Sequence, residues 1–242
     1  GAPGLSMVER LQDSILDKLV RKKVSERFGG RLKAFVSGGA PLNYDIGVFF
    51  LALGVRVLQG YGQTETAPVV SANPPSRIKI DTVGPAFPGV ELRIADDGEI
   101  LIRGELTMQG YWNAPDLTAE TLRDGWVHTG DIGLLDEDGY IKITGRIKDL
   151  IIRGGVNISP AEVESVLFAH PKVANVAIVG MPDERLGERS CAYVVPADGT
   201  SLDLGEMQAW MADAGVAKPK WPERIETIDA LPMTPSGKVQ KF

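Results

Sequence analysis

The sequence is short of the residues that most often announce a site. One cysteine, Cys191, stands among 242 residues, so no internal disulfide can form, and a reducing, cytoplasmic setting is the default expectation. The two histidines, His128 and His170, have no partners at ligand spacing, which argues against a transition-metal centre. Basic residues are not in excess: 26 Lys and Arg face 32 Asp and Glu, for a net charge of -6, and nothing in that balance favours nucleic acid or an anionic membrane surface as a partner. Long apolar runs are missing as well. The longest, Ile46 to Val55, carries two glycines and stops at Arg56, far short of a membrane-spanning helix, and it reads as a buried helix. No secretory signal is legible at the start. Cys191 lies in the strand-like stretch Ser190 to Val195, where core packing is the simplest role for it.

What is present describes an ordinary globular chain, 43% hydrophobic and 24% charged, long enough for two domains that each bury a core. The first helix opens at Ser6, whose hydroxyl can cap the turn while Glu9 reaches back, and its spacing buries Val8, Leu11, Ile15 and Leu19 before Gly29. An apolar run, Leu32 to Val36, leads to the turn Ser37-Gly38-Gly39-Ala40-Pro41. A helical segment to Leu53, closed by Gly54, precedes a second run, Val55 to Leu58. Strand, helix, strand predicts parallel pairing. Both glycine turns then follow the carboxyl ends of neighbouring parallel strands, the place where open α/β sheets bind ligands.

From Val83 to Arg146 the pattern turns to short strands: Val90 to Ile94, the Asp96-Asp97-Gly98 turn, Glu99 to Arg103, Ile132 to Leu135, a turn at 136–139, and Tyr140 to Thr144. After Ile147 come a helix capped by Ser159-Pro160-Ala161-Glu162, strands near Val173 to Val179 and Ser190 to Val195, and a helix from about Leu204. The fold class expected is α/β plus α+β. A partial large domain spans 1–147, with a parallel βαβ piece at 1–82 and a small β-rich subdomain at 83–147. A small α+β domain follows at 148–242, with the hinge near Lys148.

Several short segments carry chemistry. In Tyr61-Gly62-Gln63-Thr64-Glu65, the ring can pack on a base, Thr64 can bond a phosphate oxygen, and Glu65 can hold magnesium, a hard cation that prefers oxygen ligands. Taken alone, the same five residues are equally an ordinary β-turn with a surface Glu65. Asp131, in Trp126-Val127-His128-Thr129-Gly130-Asp131, can accept both hydroxyls of a ribose. Arg146, in Gly145-Arg146-Ile147-Lys148-Asp149, offers a guanidinium fork to the same sugar or to a phosphate. The plainer reading of that pair is an Asp at a turn and a surface ion pair of little energetic value.

Taken in order, Ser37 to Pro41, Tyr61 to Glu65, Gly104-Glu105-Leu106, Trp126 to Asp131, Gly145 to Asp149, Gly154-Gly155-Val156-Asn157 and Pro232 to Lys238 resemble the motifs of the AMP-forming adenylating enzymes, the superfamily of acyl-CoA synthetases, firefly luciferase and peptide-synthetase adenylation domains. The resemblance implies ATP or AMP, magnesium and coenzyme A as ligands. Gly38, Gly39, Ala40, Pro41, Gly60 and Tyr61 would embrace adenine, with Gly62 and Gln63 completing that turn. Thr64 would touch the α-phosphate, Glu65 would ligate the metal, and Asp131 with Arg146 would fix the ribose. Lys238 would be the lysine that enters the site for adenylation. Lys148 would be the pivot about which the small domain turns, exchanging the Lys238 loop for the loop of Arg153, Gly154, Gly155 and Asn157 beside the pantetheine arm of coenzyme A.

The Ser, Thr and Gly-rich phosphate loop of that superfamily, ending Pro-Lys-Gly, occurs nowhere in the sequence. The expectation is therefore the C-terminal half of an acyl-CoA synthetase of the fatty-acid type, inert on its own, whose partners are a carboxylic acid, ATP, coenzyme A and its own missing N-terminal half. Apolar surface facing that half would favour self-association. Two other readings remain: a ligase that loads a carrier protein, and a nucleotide-binding module without catalysis.

Overall fold

The computed structural model describes residues 6–40, 42–234, 239 and 240. Its first helix opens on the predicted cap. The Ser6 hydroxyl accepts the Glu9 amide at 3.3 Å and the Glu9 carboxylate accepts the Ser6 amide at 2.7 Å, a reciprocal capping box. Helix α1 (Met7–Leu16) runs through a π-helical turn, Asp17–Arg21, into α2 (Lys22–Arg27). Its apolar stripe does not bury: Val8, Leu11, Ile15 and Leu19 are 65%, 65%, 48% and 59% exposed. The expected buried face is thus corrected. Periodicity makes a helix amphipathic, but burial needs a second surface, and none among the described residues covers this one.

Strand β1 (Phe35–Ser37), helix α3 (Tyr44–Ala52) and strand β2 (Val57–Tyr61) form the predicted parallel unit, with Phe35 opposite Val57 and Ser37 opposite Gln59. The short β3 (Ser71–Ala72) pairs antiparallel on the other side of β2. Helix α3 starts at Asn43, whose side chain accepts the Ile46 amide at 3.1 Å, and the chain reverses at Gly54. This helix also departs from expectation. Ile46, Val48 and Phe49 are exposed and only Gly47 is buried, because the run is apolar all round and one sheet can cover only one face.

The chain divides into two compact units. The first comprises the residues up to Glu91 with Arg103–Ala114 and Leu135–Lys142; the second comprises Leu92–Ile102, Pro115–Leu134 and the residues from Ile143 onward. A five-stranded sheet contains β4 (Glu91–Ile94), β5 (Glu99–Arg103), β6 (Leu122–Arg123), β7 (Trp126–Leu135) and β8 (Ile141–Arg146), in the order β4-β5-β7-β6 with β8 also on β7. Helix α4 (Pro115–Thr121) leads into β6. Strand β7 is longer than the predicted Ile132 to Leu135, because the Trp126 to Asp131 motif is its first part.

A further sheet is ordered β10-β9-β12-β11, with β13 parallel to β12. Its strands are β9 (Ile151–Arg153), β10 (Val156–Ile158), β11 (Val173–Asp183), β12 (Gly187–Pro196) and β13 (Arg224–Thr227). Helices α5 (Pro160–Phe168) and α6 (Leu204–Asp213) pack Val163, Leu167, Met207 and Met211 onto Ile151, Ile158, Ile178 and Val194, all essentially sealed from solvent. Cys191 is buried in β12 as predicted, and burial pushes its thiol above the ordinary range. Pro160 opens α5 as expected, but Ser159 does not cap it. Its hydroxyl donates instead to the Thr144 carbonyl. No helix among the described residues is long and apolar enough to cross a membrane.

Candidate active site

In the first unit the two glycine turns lie side by side at the carboxyl ends of β1 and β2. A Cβ on Gly38 would stand 3.5 Å from the Gly60 carbonyl oxygen. Gln59, buried in the middle of β2, accepts the amide of Leu42, just after the first turn, and donates to the Ile80 carbonyl, each at 2.9 Å. Gly39 and Ala40 belong to the first turn, and Pro41 lies outside the described residues. Strand β2 then delivers Gly60, Tyr61 and Gly62. Gly62 is a point of close backbone approach, since a Cβ there would meet the Pro68 carbonyl oxygen at 2.1 Å.

The following turn is built by a residue the sequence reading passed over. Thr66 is fully buried; its hydroxyl accepts the Gln63 amide at 3.0 Å and donates to the Gln63 carbonyl at 3.1 Å. That closure presents Thr64 to solvent on a 3-10 turn, with Glu65 half-buried beside it. Glu65 is steadied from a distant segment: the Tyr111 hydroxyl donates to Oε1 at 2.7 Å and the Met108 amide to the Glu65 carbonyl at 2.8 Å. A carboxylate has acceptor capacity beyond one hydroxyl, and magnesium is commonly held by one or two carboxylates together with substrate phosphates and water. Glu65 beside the Thr64 hydroxyl suits that mode. No cluster of three or more metal-ligating side chains occurs among the described residues.

In the second unit, β7 bulges. Leu101 of β5 pairs with His128, and Glu99 with Ile132, so two steps along β5 match four along β7. Gly130 sits in the bulge at φ +69°, a left-handed conformation that glycine adopts without a Cβ penalty. Side chains make the hydrogen bonds that the interrupted ladder would have supplied. The Thr129 hydroxyl donates to the Ile100 carbonyl at 2.7 Å and accepts the Asp131 amide at 3.1 Å. Glu99 accepts the Gly130 amide at 2.8 Å. Its other oxygen lies 2.6 Å from His128 Nδ1, so with Glu99 as a carboxylate the ring proton sits on Nδ1.

The bulge carries Asp131, whose side chain is 7% exposed and accepts Arg146 Nε at 3.1 Å. Arg146, at the end of β8, is half-exposed. Asp131 is therefore a buried acid inside a strand rather than the turn residue of the plainer reading. Arg146 belongs to a tight corner, for a Cβ on Gly145 would meet the Ser159 hydroxyl at 2.7 Å.

Lys148 is exposed on a single 3-10 turn, Ile147–Asp149, that links β8 to β9. Beyond it Gly154 and Gly155 form the turn of the β9–β10 hairpin, and Asn157 is exposed on β10. Arg153 is held by Glu223 through two hydrogen bonds of 2.9 and 3.1 Å. That ion pair keeps Glu223 below its usual carboxylate range and raises the guanidinium. Lys238 lies outside the described residues. A cavity of about 530 Å³ opens at the amino ends of β1 and β2, lined by Arg21, Lys22, Leu32 and Arg56 among others, at the opposite ends of these strands from the glycine turns.

The sequence matches the AMP-binding enzyme family over residues 6–112 and the AMP-binding enzyme C-terminal domain over residues 162–238. The chain belongs to that family. It is similar to the medium-chain fatty-acid–CoA ligase of Escherichia coli (strain K12), with 45% identity over 225 residues, 87% of this chain and 40% of that protein. It is also similar to a feruloyl-CoA synthase of Amycolatopsis, with 43% identity over 223 residues, 87% of this chain and 45% of that protein. Among solved structures, ATP-bound MatB from Rhodopseudomonas palustris superposes with a TM-score of 0.83 at 36% identity, covering 93% of this chain and 46% of that one. The chain thus spans less than half the length of each relative.

Proposed function

We propose that this chain is the nucleotide-gripping and hinge-bearing part of a longer AMP-forming acyl-CoA synthetase. The whole enzyme would join a carboxylic acid to ATP, releasing pyrophosphate and leaving an acyl-adenylate, and then pass the acyl group to the thiol of coenzyme A, releasing AMP. Fatty acids are the first substrate class to test. The observation that carries the reading is the buried Asp131 carboxylate bonded to Arg146 at the end of a side-chain-built bulge. A buried acid with an adjacent guanidinium suits the two hydroxyls of a ribose. The similarity to CoA ligases acting on fatty and aromatic acids supports acid–thiol ligation, and the likeness to an ATP-bound structure supports ATP as the nucleotide.

In this reading Gly38 to Pro41 and Gly60 to Gln63 take adenine, and Thr64 donates to the α-phosphate. Glu65 holds magnesium, which when bound would draw charge from the phosphate oxygens. Asp131 and Arg146 hold the ribose. Arg153, Gly154, Gly155 and Asn157 border the passage for pantetheine once the 148–242 domain has turned about Lys148. The isolated chain is catalytically inert, its exposed α1 stripe being surface that the rest of the enzyme covers and that would otherwise favour self-association. A reducing, cytoplasmic setting goes with coenzyme A chemistry.

Lys238 places positive charge where negative charge develops on carboxylate and phosphate oxygens, a contribution of about 3–4 kcal/mol for one preorganised donor. In the full enzyme Lys238→Ala should slow acyl-adenylate formation by roughly 10²- to 10³-fold, measured as carboxylate-dependent ATP–pyrophosphate exchange. Thioester formation from supplied acyl-adenylate should be largely preserved. Equal loss in both half-reactions contradicts the assignment, and acyl transfer to a carrier protein but not to coenzyme A would replace the acceptor.

A further inference from the structure

We infer that Glu99 and His128 are positioning residues for Asp131, and that through it they set how strongly the site selects a ribose over a deoxygenated sugar. The inference rests on the proposed role of Asp131. Neither residue needs to touch the nucleotide.

Two extra residues in β7 leave the Gly130 amide without a β5 carbonyl to donate to, and an unpaired buried amide is costly. Glu99 supplies the acceptor from the facing strand at 2.8 Å. Its carboxylate is itself buried, with the side chain only 9% exposed, and a buried charge persists only when hydrogen-bonded. His128 meets the second oxygen at 2.6 Å. The pair therefore completes a closed set: Thr129 serves Ile100 and the Asp131 amide, Glu99 serves Gly130, and His128 serves Glu99. With each group committed, the bulge has one conformation, and the Asp131 Cα–Cβ direction is fixed by it. An ordinary two-residue alternation through this stretch would set Gly130 opposite Glu99 in place of Ile132 and move every following side chain two positions along β5. Glu99 and His128 thus act on the sugar only through the direction in which Asp131 points.

A structural role alone would weaken all nucleotides together, whereas a positioning role is selective for hydroxyl groups. The test measures binding of AMP and of 2′,3′-dideoxy-AMP by calorimetry to the full protein carrying this chain, in the parent, Asp131→Asn, Glu99→Ala, Glu99→Gln and His128→Phe forms. Asp131→Asn should lower AMP affinity at least tenfold and leave the dideoxy analogue within about twofold, which establishes the ribose role. Glu99→Ala should reproduce that selective loss. Glu99→Gln, which keeps an acceptor for the Gly130 amide, should recover most of the selectivity, and His128→Phe should fall between them. If Asp131→Asn leaves the ratio of the two affinities unchanged, the ribose assignment fails and this inference fails with it. If Asp131→Asn collapses the ratio but Glu99→Ala and His128→Phe do not, the ribose assignment stands and the positioning role is overturned. Should Glu99→Ala not fold, Glu99→Gln and His128→Phe decide the matter, because a parental ratio in both overturns the inference.

Discussion

The turn that presents Thr64 and Glu65 depends on Gly62 having no side chain. A Cβ there would lie 2.1 Å from the Pro68 carbonyl oxygen and 2.7 Å from the Val69 Cα. Both are backbone atoms, so no rotamer change can relieve the overlap. Ordinary carbon–oxygen contact needs more than 1 Å of additional space, and the segment that would have to yield is held by the Val70 amide donating to the Tyr61 carbonyl at 2.8 Å. Overpacking of this kind costs about 1–3 kcal/mol, and loss of that hydrogen bond adds about 1 kcal/mol. Gly62→Ala should therefore destabilise the first unit by roughly 2–4 kcal/mol. A chain of two units need not unfold in one step, so the assay is amide hydrogen exchange of peptides covering 57–72, read by mass spectrometry. Exchange there should rise by roughly 30- to 900-fold, at 1.36 kcal/mol per factor of ten, while peptides of β11 and β12 keep their parental rates. Gly39→Ala is the comparison: no atom lies within 4 Å of its Cβ, and the left-handed backbone alone costs about 1–2 kcal/mol. Exchange in Gly62→Ala within twofold of the parent would refute the steric reasoning.

Two further outcomes concern the second unit. His170 is buried against the edge of Trp210, 4.7 Å between ring centroids, and its Nδ1 accepts the Lys172 amide at 3.1 Å; burial lowers its pKa from 6.5. A depressed imidazole contributes stability that is complete above its unfolded value and lost as pH falls through the folded one, so urea midpoints followed by tryptophan fluorescence should decline below about pH 6.5, and His170→Phe should remove that decline. An unchanged slope in the variant would contradict this. The Arg153–Glu223 pair lowers the Glu223 carboxyl, so its stabilisation is present above the unfolded value of 4.5 and lost as pH falls through the folded value. Glu223→Gln should cost about 1 kcal/mol at pH 7, or about 2–4 °C in melting temperature, and the gap to the parent should narrow as pH falls below 4.5; a gap that stays constant as pH falls would show that the pair is not what titrates.

The parallel β1–α3–β2 unit was legible because strand, turn and helix each leave a local mark: an apolar run, the glycine turn at Ser37 to Pro41, the stop at Gly54. The Ser6 and Glu9 capping box was legible for the same reason. Burial was not. The stripes on α1 and α3 read as core, yet Val8, Leu11, Ile46 and Phe49 are exposed, since a sequence states which face is apolar and not what lies against it. Ser159 failed differently. Its position before Pro160 is that of a cap, but a nearby carbonyl, Thr144, competes for the hydroxyl, and no local pattern reports a competitor fifteen residues back.

The site shows the same division more sharply. Asp131 and Arg146 stood out as charged residues in short glycine-containing motifs, and the structure brings their side chains together. Thr66, Tyr111 and Glu99 did not stand out, although they hold Gln63, Glu65 and Gly130 in place. Glu99 opens a strand just after an Asp-Asp-Gly turn, where a carboxylate is expected to face solvent, and its bond to Gly130 spans 31 positions. One signal was available. Gly130 lies in the interior of what proves to be a ten-residue strand, and glycine inside a strand marks a bulge. A bulge displaces backbone donors from the ladder, and each needs an acceptor from the facing strand. On the facing strand Glu99 is the polar side chain able to supply one to Gly130. The residues that present a site are therefore found by accounting for backbone hydrogen bonds, where those that perform its chemistry are found by charge.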